Sequence, residues 1–100
     1  MLLNERDTDE GLLVAVCDSD LLGETFEDGD VSLTVTEEFY GGEEVGESAV
    51  VESLGRASVA NIVGTEAVDL AVEHGFIDEA NVLEIGGTRH AQLLRLGRTR

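Results

Sequence analysis

Apolar positions come in short runs whose spacing switches between two and about 3.6 residues, the pattern of strands interleaved with helices. Leu2 and Leu3, the polar turn Asp7-Thr8-Asp9-Glu10-Gly11 and the unbroken run Leu12 to Cys17 predict two strands joined by a turn. The second is apolar on both sides and is therefore expected at the centre of a sheet. Asp18 is placed to cap one helical turn through Leu22, which Gly23 ends. Behind a turn at Glu27-Asp28-Gly29-Asp30, Val31, Leu33 and Val35 alternate with Ser32, Thr34 and Thr36, as on a strand with one wet face. Glu37 to Val45 has no period and is expected as a loop or strand end around Gly41-Gly42.

Helical spacing then takes over. Val50, Val51, Leu54 and Ala57 share one stripe of a helix beginning near Glu47, which Gly55 shortens. Val59, Ile62 and Val63 predict a short strand closing at Gly64. Thr65-Glu66 opens a second helix with Ala67, Val68, Ala71 and Val72 on one face and Gly75 past its end, after which Phe76 and Ile77 return to the core. Val82 to Ile85 and Leu93 to Leu96 read as strands flanking an irregular stretch, Gly86 to Gln92. Together these elements predict a single α+β domain over residues 1–100, with 97–100 as a frayed tail. Its architecture is a two-layer sandwich: a mixed, mainly antiparallel sheet of about five strands with two helices on one face.

Charge adds what periodicity cannot. The chain has 22 Asp and Glu against six basic residues, all arginine, for a net charge of -16. On a surface of about 5,500 Å² the carboxylates stand roughly 16 Å apart, close enough to repel at ~0.1 M salt and screened at ~1 M. An acidic surface without lysine is the pattern of proteins from a cytoplasm kept at molar salt, so a halophilic source and salt-dependent folding are expected. The lone Cys17, within an apolar run, fits a reducing cytoplasm. The first ten residues carry five charges and no stretch approaches the ~18 apolar residues of a membrane span, so neither a signal peptide nor a membrane partner is expected.

Candidate chemistry is sparse. Cys17, His74 and His90 cannot furnish a zinc site, and Asp18, Asp20, Asp28 and Asp30 lack the later ligands of a calcium loop, so no metal and no cofactor is expected. No phosphate-binding loop is present. Cys17 follows five apolar residues and reads as core rather than as a nucleophile, and His74 sits where a cation complements a helix end. His90, beside Arg89 and near Gln92, is open to two readings, a presented functional group or a surface histidine bonded to backbone. Tyr40 either stacks a base or fills the core. Charge is also segregated: residues 1–50 hold 15 carboxylates and one arginine, whereas 85–100 hold no carboxylate and Arg89, Arg95, Arg98 and Arg100.

Phe39-Tyr40-Gly41-Gly42, Ala60-Asn61-Ile62-Val63-Gly64 and Gly86-Gly87-Thr88-Arg89-His90-Ala91-Gln92, in this order and spacing, resemble the archaeal family called domain of unknown function 424. Leu12 to Asp18 and Glu73 to Asp78 extend the likeness to nearly the whole chain. The resemblance implies a small α+β domain of the kind described as RNA-binding and linked to translation. The leading expectation is thus a non-catalytic RNA-binding or ribosome-associated module contacting RNA through Tyr40, Arg89, His90, Gln92 and Arg95. The alternatives are a protein-interaction module whose basic tail docks an acidic partner and, more weakly, an enzyme with His90 as general base.

Overall fold

The computed structural model describes residues 1–95; Leu96 and the tail expected over 97–100, with Arg98 and Arg100, lie outside the described residues. Strands β1 (Leu2–Thr8) and β2 (Gly11–Cys17) form an antiparallel hairpin, registered from Leu2 opposite Cys17 to Thr8 opposite Gly11. A second hairpin, β3 (Thr25–Asp28) and β4 (Val31–Thr34), stands as its own two-stranded sheet. After it come α1 (Glu37–Tyr40), β5 (Glu43–Glu44), α2 (Glu47–Arg56), β6 (Val59–Val63), α3 (Thr65–Glu73), β7 (Leu83–Ile85) and β8 (Thr88–Leu94). The main sheet has the order β5-β1-β2-β6-β8-β7, with only β2 and β6 parallel.

The α+β architecture expected from the sequence is the one observed, a mixed and mainly antiparallel sheet with α2 and α3 on one face. Val14, Val16, Ala60, Ile62 and Ala91 turn to that face and meet Val50, Leu54, Ala67, Val68 and Ala71 of the helices in the main core. Side chains alternate across a strand, so Ala15, Cys17 and Val63 turn to the opposite face. There the β3–β4 hairpin and α1 deliver Phe26, Leu33, Val35, Phe39 and Tyr40 to a second, smaller core.

Several local expectations are corrected. Gly86 to Gln92 is not irregular: Gly86 and Gly87, at φ +56° and +91°, form the two-residue turn of a hairpin, and Thr88 begins a seven-residue strand that pairs with β7 from Thr88 to His90 and with β6 from His90 to Leu94. That strand shows no alternation because it is covered differently at each end. The period-free Glu37 to Val45 holds a short helix, capped by the Thr36 hydroxyl accepting from the Phe39 amide, and the strand β5. The turn expected over Glu27 to Asp30 is confined to Gly29-Asp30, because Glu27 and Asp28 pair with Ser32 and Val31. β1 runs on to Thr8, since polar residues cost little at a sheet margin where β2 supplies the ladder. Gly55 lies within α2, which ends at Arg56.

Asp18 does cap a helix, but not the turn that follows it. Its carboxylate accepts the amides of Glu66 (3.0 Å) and Ala67 (2.8 Å), closing the N-terminus of α3 from the end of a neighbouring strand. The register that sets Cys17 opposite Val63 puts Asp18 beside Gly64. Gly64 is at φ +111°, and a Cβ there would lie 2.3 Å from the Asp18 carboxyl carbon, so the close approach needs glycine.

Candidate functional site

Half of the sheet's second face is left uncovered. The β3–β4 hairpin and α1 lie over the end carrying Cys17 and Val63, and the registers place Leu13, Val59, Asn61, His90, Gln92, Leu94 and Leu83 on the remainder. Leu94 is 69% and Leu83 58% exposed, unusual values for large apolar side chains on a sheet. Between them the Gln92 amide donates to the Asn61 side-chain oxygen at 2.8 Å, joining β6 to β8 across the face. At one end Val59, Leu94, Ser58, Gly11 and Arg95 line a groove of about 460 Å³ together with the carboxylates Asp9 and Glu10.

The five residues expected to contact RNA are dispersed over the molecule. His90 and Gln92, two apart on β8, share the open face. Arg89, one position off, turns to the helix side and pairs with Asp69 of α3 and Glu79. These carboxylates, Glu79 first, hold its pKa above the usual guanidinium value. Arg95 donates to the carbonyls of Leu54 (2.9 Å), Gly55 (3.3 Å) and Ala57 (2.8 Å), so its guanidinium closes the negative end of α2 and lies 5.8 Å from the Phe76 ring centre. Tyr40 is only 4% exposed, edge-on to Phe39 at 5.0 Å, and has no ring face to offer a base.

The remaining described cations are engaged as well. Arg56 pairs with Glu5 and Glu52, and Arg6 donates to the Glu38 carbonyl while covering the Phe39 ring. Glu5 also accepts from the buried Ser53 hydroxyl, and these bonds, Ser53's foremost, lower its carboxyl below the usual range. The cluster ties α2 to β1. Among the described residues no group of three or more His, Cys, Asp or Glu side chains is placed to hold a metal, and no described helix is long and apolar enough to cross a membrane. Burial lowers the His90 pKa, leaving the ring neutral at neutral pH. Sequence reasoning missed Asn61, Leu83 and Leu94. The alternation Val59-x-Asn61-x-Val63 was a signal for Asn61; Leu83 and Leu94 fell in segments read as strands, but the face they share follows only from the register.

Burial raises the thiol of Cys17 to about 11 and the phenol of Tyr40, the one tyrosine, to about 12. Both groups keep their protons to higher pH when folded than unfolded, so the stability they contribute is complete below pH ~9 and declines as pH rises through the two shifted values. Tyrosinate absorbance should therefore rise together with loss of circular dichroism, and Tyr40→Phe should move the alkaline midpoint upward. A tyrosine titrating near pH 10 in a protein still folded would show the ring to be solvated.

A family model described as "Protein of unknown function (DUF424)" matches residues 5–96. No curated protein matches the chain. The crystal structure of an uncharacterized conserved protein from Methanopyrus kandleri is similar over 99% of this chain and 96% of its own, with 27% identity and a TM-score of 0.76. Domain-length agreement of both sequence pattern and backbone leads to one conclusion: the chain belongs to the archaeal DUF424 family.

Proposed function

We propose that this protein is a non-catalytic docking module that binds an apolar, uncharged surface of a partner protein through the open half of its sheet. The observation that carries the reading is the face itself: Leu83, Leu94 and Val59 around the Asn61 and Gln92 amide pair, on a molecule otherwise coated with carboxylates. Exposed leucines beside an uncharged amide pair, on a face that no described element covers, suit contact with a partner protein. The basic-tail version of docking rests on Arg98 and Arg100, outside the described residues.

RNA contact, the leading expectation from the sequence, loses support because the four described arginines are spent on carboxylates and backbone carbonyls within the protein. Phosphate binding draws its affinity from free cations. Among the described residues, His90 and Gln92 would be left to recognise RNA by neutral hydrogen bonds. Catalysis by His90 asks for a substrate pocket around the ring, whereas the groove at this face is lined by other residues.

Leu94→Asp tests the proposal. Leu94 is exposed, so the substitution should change stability by no more than about 0.5 kcal/mol. It should nevertheless abolish, at molar KCl and after nuclease treatment, capture of a protein that the wild type retains. That protein, once purified, should bind the variant at least tenfold more weakly. Identical captured sets for the two proteins would sink the docking reading, and binding that disappears with nuclease would favour RNA in its place.

A further inference from the structure

Strand β8 is longer than its outer neighbour. β7 pairs Leu83 with His90 and Ile85 with Thr88 and goes no further, whereas β8 continues to Leu94. The Arg89 carbonyl accepts from the Gly64 amide and the Arg95 amide donates to the Ser58 carbonyl, so odd-numbered residues of β8 turn their backbone groups toward β6. The alternation of an antiparallel ladder sends those of Gln92 and Leu94 the other way, past the end of β7. There no described residue bonds them, and both residues are exposed.

Proteins blunt such edges with charges, bulges or covering loops. The opposite margin of this sheet follows the rule. Beyond β5, strand β1 carries Glu5, Arg6 and Asp7, and the side chains of Asn4 and Arg6 fasten it to the Gly41 and Glu38 carbonyls. Ala91 to Leu94 carry no charge. Charge also limits what can take this edge: most approaches of one copy to another oppose carboxylates, whereas residues 85–95 contain none.

We infer that β8 pairs antiparallel with β8 of a second copy about a two-fold axis near Leu93. Gln92 of each copy then stands opposite Leu94 of the other, and the outward amides and carbonyls of each pair exchange both their hydrogen bonds. An isologous contact of this kind satisfies both edges at once. Opposite residues of a ladder share a face, so the two open half-faces merge into one platform across the axis. Use of that platform rests on the docking reading; the pairing does not. So short an edge buries less than the ~1,200 Å² of a standard interface, which makes the dimer concentration-dependent.

Sedimentation equilibrium in molar KCl, from micromolar to millimolar protein, tests the pairing. The wild type should self-associate, and Leu94→Pro, which removes only an outward amide, should weaken association at least tenfold with circular dichroism unchanged. Leu94→Lys, which adds a charge and keeps the amide, should do the same and carries the comparison if the proline variant loses its fold. Amide exchange at Gln92 and Leu94 should slow as concentration rises. A wild type monomeric throughout, or variants that associate as it does, overturns the inference. A monomer that still loses a partner through Leu94→Asp would leave docking standing, and a dimer with no such partner would leave pairing standing.

Discussion

Transferred to about 10 mM salt, the protein is expected to unfold, and it should refold as KCl is raised toward about 1 M. The exposed surface is 5747 Å² and carries nearly all of the 22 carboxylates, so neighbours stand roughly 16 Å apart. Each such pair repels by about 0.3 kcal/mol in water without salt. A screening length of about 30 Å, as at 10 mM, leaves roughly half of that, and one of about 3 Å, as at 1 M, leaves almost nothing. With on the order of 40 neighbouring pairs the difference is about 6 kcal/mol, comparable to the 5–15 kcal/mol that holds a domain together. The unfolded chain also repels itself, which makes this an upper bound. Few carboxylates escape the effect: Glu5 and Glu52 have Arg56, Asp69 and Glu79 have Arg89, and Glu44 has the amino terminus. Melting followed by circular dichroism across KCl concentrations decides it. A midpoint that barely moves between 10 mM and 1 M would mean that self-repulsion does not limit this fold.

Gly64→Ala is the single substitution expected to cost most, about 2–5 kcal/mol in molar KCl. Its φ of +111° lies where residues with a Cβ are strained, by about 1–3 kcal/mol. The new methyl would also strike the Asp18 carboxylate and push it from the amides of Glu66 and Ala67, a further loss of about 1–2 kcal/mol. Asp18→Ala alone should cost only that second part. Because the cap can be lost once only, the double variant should be less destabilised than the two singles added together. Urea unfolding of the three variants measures this. Strict additivity, or a cost for Gly64→Ala below about 1 kcal/mol, would show that strand end and helix start are not coupled through this contact.

How far the fold could be read in advance differed from element to element. Strand β2 and helices α2 and α3 were legible because each buries a continuous apolar run or stripe against the core, and Gly75, at φ +80°, ends α3 by a local rule. Strand β8 was legible only at its end, where Leu93 and Leu94 read as strand, and Thr88 to Gln92 read as irregular because the environment changes along its length. Thr88 lies under the β3–β4 hairpin, Ala91 under the helices and Leu94 in the open, so no period marks it. The candidate site was half legible. His90 and Gln92 lie where residue chemistry pointed, but the neighbours that give them a surface, Asn61 and Leu83, come from other strands.

The sequence by itself determined the quantities that add along a chain: the α+β class, the helices with their buried stripes, the acidic net charge and the scarcity of candidate nucleophiles and metal ligands. The tertiary structure alone decided which groups meet. Strand alternation turned Arg89 from its sequence neighbour His90 toward Asp69 and Glu79, and the end of α2 claimed the guanidinium of Arg95. The two described members of the arginine cluster, Arg89 and Arg95, therefore became internal ties, because the partner of a charge is set by strand register and helix packing between residues distant in the chain, and local composition carries no record of either.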